Sequence, residues 1–77
     1  MTPAEADQHI ILSRKTLLAY LRMMKAGHVP ANDLHLMTNE ITELEGIAHE
    51  HPVKAEKAYR LAEHWAGLMT SIRAKMN

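Results

Sequence analysis

Residues 34–48 read LHLMTNEITELEGIA, and within them Leu34, Met37, Ile41, Leu44 and Ala48 recur at steps of three and four. At 100° per residue those five side chains share one face of an α-helix, while Asn39, Thr42 and Glu43 fall elsewhere. The stretch is therefore a helix with a heptad-like apolar seam, and a seam of that kind needs other helices to cover it.

The flanking sequence supplies them. Upstream, Thr2-Pro3-Ala4-Glu5 combines an N-cap hydroxyl, a proline at the first helical position and a glutamate that can reach back, which is a capping box. The helix it opens is expected to run over residues 3–26, ending at Gly27 in a left-handed C-cap with Lys25 at the negative dipole end. Pro30, with Asn32 and Asp33 offering cap oxygens or first-turn negative charge, is expected to open a second helix over 30–49. His51 precedes Pro52, and a residue before proline avoids the helical region, so a tight turn at His49 to His51 is followed by a third helix over 52–75. Along that third segment Ala58, Leu61, Ala62, Trp65, Leu68, Met69, Ile72 and Met76 fill one arc of about 120°. In the first helix Ile10, Ile11, Leu17, Leu18, Tyr20, Leu21 and Met24 cover about half the circumference. Short connections favour antiparallel neighbours, so the expected fold is all-α: one domain over 1–77, either an up-down-up three-helix bundle or a homodimer of helical hairpins.

Composition narrows the function classes. A chain of 77 residues buries only about 60% of its unfolded surface, which makes self-association a natural source of stability. There is no cysteine, so disulfides and thiolate metal sites are out and the usage fits a reducing compartment. Acids at Glu5 and Asp7 stand where an export signal would be basic, and no apolar run approaches membrane-spanning length; the expectation is a cytoplasmic chain with no membrane contact. Catalysis is not expected and no cofactor is implied. Ser13 and Ser71 lie in no nucleophile elbow or phosphate loop, and Glu43 and Glu45 are spaced to point apart on a helix.

Three features could carry a binding role. The first is apolar surface beyond what the core needs. Leu12, Thr16, Ala19 and Met23 form a second stripe on the first helix, and Leu36, Glu40, Glu43 and Ile47 one on the second, off the seam. These eight residues are the expected partner-binding set of a small adaptor, inhibitor or regulator that binds another protein, most simply as a homodimer. The second feature is a basic arc, Arg14, Lys15, Arg22 and Lys25, that could track phosphates. Against nucleic acid stand a net charge of zero and the five acids Asp33, Glu40, Glu43, Glu45 and Glu50 next door. The third is histidine: His9, His49 and His51 would lie near one end of an up-down-up bundle, where imidazoles could take zinc, nickel or copper as a switch. An H-x-H in a turn has no fixed geometry, and His49 and His51 have plainer readings as groups meeting helix-end carbonyls and amides.

Overall fold

The structure, a computed structural model, describes residues 1–76 as an up-down-up bundle of α1 (Pro3–Lys25), α2 (Leu34–Glu50) and α3 (Ala55–Lys75). Two contacts gather the start of α1, the end of α2 and the start of α3 at one end. His51 Nε2 lies 3.1 Å from the Met1 carbonyl oxygen, and Lys54 Nζ donates to Asp7 Oδ1 at 2.7 Å. The bundle measures 39 × 18 × 18 Å, a rod whose length is close to the roughly 35 Å that a 23-residue helix spans at 1.5 Å per residue.

The ends of α1 form as the sequence dictates. Glu5 N–H donates to Thr2 Oγ1 at 3.1 Å, and Thr2 N–H donates back to Glu5 Oε1 at 2.8 Å, closing the capping box. At the other end Gly27 adopts φ +88°. His28 N–H reaches the Met23 carbonyl at 2.9 Å and Gly27 N–H that of Met24 at 3.0 Å, the paired bonds of a Schellman motif.

The two internal prolines act differently from expectation. Pro30 and Pro52 do not begin α-helices; 3-10 turns over Ala31–Asp33 and Pro52–Lys54 intervene, and the α-helices start at Leu34 and Ala55. Neither turn has a side-chain cap. Asp33 accepts a hydrogen bond from Tyr20 across the bundle instead, and His51 faces Met1 instead of the first amides of the next helix. His51 itself is extended, at φ −128° and ψ 78°, as a residue before proline should be.

The core follows the α2 seam and the α3 arc. Met37, Leu44 and Ala48 are buried opposite Ala58, Leu61, Ala62, Trp65, Leu68, Met69 and Ile72, with Leu34 and Ile41 partly buried against them. Only Met76, exposed in the final turn, departs from the expected arc. Helix α1 departs more. Its buried residues are Ala6, Ile10, Ser13 and Leu17, continued by the partly buried Tyr20 and Met24. Ile11, Leu18 and Leu21, expected on the core face, are exposed. The physical reason is spacing: Ala6, Ile10, Ser13, Leu17, Tyr20 and Met24 recur at four and three, a true heptad seam, whereas Ile11, Leu18 and Leu21 lie to one side of it. Helix α1 also lies less closely on the other two than α2 and α3 lie on each other.

Candidate functional site

Hydrogen bonds through side chains fix α1 on the α2/α3 hairpin along its length. Trp65 Nε1–H donates to Ser13 Oγ at 2.9 Å, with both residues buried. Tyr20 packs edge-on against the Trp65 ring, centroids 5.8 Å apart, and its hydroxyl donates to Asp33 Oδ2 at 2.9 Å. His9 Nε2 stands 2.8 Å from Glu40 Oε2. With Lys54 to Asp7 and His51 to Met1, these bonds hold α1 against the hairpin without closing the flanks on either side of it.

The electrostatics follow the same bonds. The Lys54 ammonium bonded to Asp7 holds its carboxyl below the usual range, and the Thr2 amide does the same for Glu5. Burial, then the bond to Asp33, pushes the Tyr20 phenol up.

On the α2 side of α1 runs a groove of about 390 Å³, lined by Leu12, Ser13, Thr16 and Tyr20 from α1, Leu36, Met37 and Glu40 from α2, and Trp65 beneath. Four of the eight expected partner-binding residues, Leu12, Thr16, Leu36 and Glu40, therefore meet in one place. Leu12 and Leu36 are 51% and 49% exposed. The polar lining groups are already bonded within the chain: Thr16 Oγ1 donates to the Leu12 carbonyl, Glu40 holds His9, and Ser13 holds Trp65. Ala19 and Met23 are exposed on the same helix but do not line the groove, and Glu43 sits apart in a shallow depression with Asn39 and Thr42. Ile47 overturns its expectation. It is 2% exposed, because the antiparallel register set by the Met1–His51 and His9–Glu40 contacts brings the α1 N-terminal half, with the small Ala6, over that end of α2.

On the α3 side of α1 is a second, more open groove of about 700 Å³ among Arg14, Leu17, Leu18, Leu21, Leu61, Glu63, His64, Gly67, Leu68 and Ser71. Arg14, Leu61 and His64 also border an adjoining hollow with Lys57 and Arg60. The sequence reading passed over Leu18, Leu21, His64 and Gly67 as site residues. The signal that would have found them is the heptad through Ser13, which fixes the side of α1 that faces inward and so the side left open.

The four cations of the basic arc, Arg14, Lys15, Arg22 and Lys25, are exposed. None joins an ion pair among the described residues. The three end histidines do not converge. His9 is drawn to Glu40, His51 lies near Met1 and within 3.8 Å of Glu50, and His49 is exposed in the last turn of α2. Among the described residues no group of histidines and carboxylates could hold a metal ion. None of the helices is long and apolar enough to cross a membrane, among the same residues. The chain matches no protein-family model, no curated protein and no solved structure.

Proposed function

We propose that this chain is a small helical interaction module whose groove between α1 and α2 docks a partner protein, most simply a second copy of the chain in a homodimer. The observation that supports the reading is the pair Leu12 and Leu36, half exposed on facing helices above a buried floor of Met37 and Trp65. The lining donors and acceptors already bond one another, so recognition there is mainly apolar, through side chains inserted between the two leucines. A specific protein interface buries about 1,200 Å² or more in total, so the groove would be the centre of a patch that includes Ala19 and Met23.

Sedimentation at micromolar concentration tests the dimer, and the variant Leu12→Lys with Leu36→Lys tests the surface. The expected result is a dimer that the double variant converts to a folded monomer, with loss of any captured partner. A wild-type chain that stays monomeric, and a double variant that captures the same partner equally well, would remove the proposal.

A second reading rests on the unpaired Arg14, Lys15, Arg22 and Lys25, which could meet the phosphates of a nucleic acid. It requires affinity for duplex or single strands that falls steeply with salt, and a flat titration at low salt removes it.

A further inference from the structure

We infer that the groove between α1 and α3 is a docking site for an acidic amphipathic helix of a partner protein. The floor is apolar, made by the buried Leu17, Leu61 and Leu68, and the α1 wall carries Leu18 and Leu21, 46% and 44% exposed. Those leucines match the apolar stripe of a helix laid into a groove.

Charge identifies the occupant. Around one end of the groove stand Arg14, Lys57 and His64, with Arg60 beside them bonded to Glu56. The nearby acids are largely committed: Asp7 to Lys54 and Glu56 to Arg60, leaving Glu63 as the acid of the lining. Arg14 and Lys57 have no ion-pair partner among the described residues. Lys25 and Lys75 add exposed cations in the last turns of α1 and α3, towards the other end. The α1/α2 groove offers no such cations, since its lining has no lysine or arginine and its one carboxylate, Glu40, is bonded to His9. A ligand with carboxylates flanking an apolar stripe therefore finds charge partners on the α3 side and none on the other.

The α3 wall is low as well. Gly67 lies in the interior of a long helix, where glycine is among the poorest formers. A Cβ at that position would meet no atom within 4 Å, so a larger side chain there would project into the groove and not into the core. With Ser71 one turn on, it keeps the wall low enough for another helix to approach. A concave slot between two rods suits a third rod better than the flat face of a bilayer.

The test is fluorescence anisotropy with a labelled synthetic helix of about 18 residues, roughly 27 Å long, with leucines at i, i+4 and i+7 flanked by glutamates. Saturable binding is expected, weakening about tenfold when glutamine replaces glutamate in the peptide or when Arg14→Glu and Lys57→Glu are combined in the protein. Gly67→Leu fills the low wall and is expected to weaken binding about tenfold while the thermal midpoint holds or rises, because the helix gains a better former. That pairing separates a blocked site from a damaged fold. Leu12→Lys, in the other groove, is expected to leave peptide binding unchanged, so failure of the earlier proposal and failure of this one are distinguishable. Absence of binding up to about 1 mM peptide, equal affinity for the glutamine peptide, or engagement of only duplex DNA or anionic vesicles would each overturn the inference.

Discussion

Helices α2 and α3 meet through side chains that are nearly all apolar, whereas α1 is tied to them by Ser13, Tyr20, His9, Asp7 and the Met1 carbonyl. The hairpin is thus held by burial, which is non-directional and favours close approach. The third helix buries a thinner seam, Ala6, Ile10 and Leu17, in the same core, and bonds of fixed length set its position on the hairpin and leave its apolar flanks uncovered. An apolar seam contributes stability in proportion to the area it hides. A row of hydrogen bonds contributes less net free energy and more definition of place. Within the three helices α1 accordingly exposes more large apolar residues, Ile11, Leu12, Leu18, Leu21 and Met23, than α2 with Leu36 or α3 with Tyr59.

The largest effect expected from this contrast lies in the hairpin. Leu44 is fully buried, and Leu44→Ala is expected to cost about 3 kcal/mol in urea unfolding monitored by circular dichroism. That is a large share of what a small domain has in total. Next comes the central anchor of α1. Ser13→Ala leaves the Trp65 indole N–H buried without an acceptor, at an expected cost of about 2 kcal/mol. Equal small effects from the two substitutions would erase the distinction between apolar and polar attachment. Smaller still is Leu12→Lys with Leu36→Lys, where both positions are about half exposed. At concentrations too low for self-association, the change in folding stability is expected to stay within about 0.5 kcal/mol per site.

The contrast also has a pH signature. Asp7 and Glu5 have carboxyls held low in the folded chain, so their contribution is present above the ordinary carboxylate range and is lost as pH falls through the lowered values. Tyr20 runs the other way: its phenol is raised, so its contribution is full below the ordinary phenol range and is lost as pH climbs past it. Asp7 and Tyr20 bond α1 to Lys54 and Asp33 beyond it, so both limbs of a stability profile should report its attachment, while Glu5 reports the helix's own N-terminal cap. Asp7→Asn is expected to flatten the acid limb and Tyr20→Phe the alkaline one. Profiles indistinguishable from wild type would show that these contacts do not hold α1.

Legibility in the sequence divides along the same line. The α2 seam and the α3 arc could be read directly because large apolar residues and polar ones alternate with the helical period, so Met37, Leu44, Trp65 and Ile72 could be placed inside. Helix α1 has large apolar residues on most of its circumference, and size alone cannot say which of them face inward. Its inward face is marked by Ala6 and Ser13, a small residue and a polar one, so the heptad is hidden from a reading that counts leucines and isoleucines. The α1/α2 groove was partly legible, since Leu12, Thr16, Leu36 and Glu40 could be paired by their stripes. Ile47 could not be separated from them, because its burial depends on the axial register of α1, which distant contacts such as His9 with Glu40 determine. The prolines were legible as boundaries, and the short 3-10 turns beside them were not.

Native-state amide hydrogen exchange tests most directly whether α1 is a positioned but separable helix on a tightly packed hairpin. The expectation is that amides of α1 from Leu12 to Met24 open at a lower free energy than those around Leu44 and Ile72, and that Ser13→Ala widens the gap. Protection in α1 equal to that of α2 and α3, unchanged by Ser13→Ala, would contradict the account.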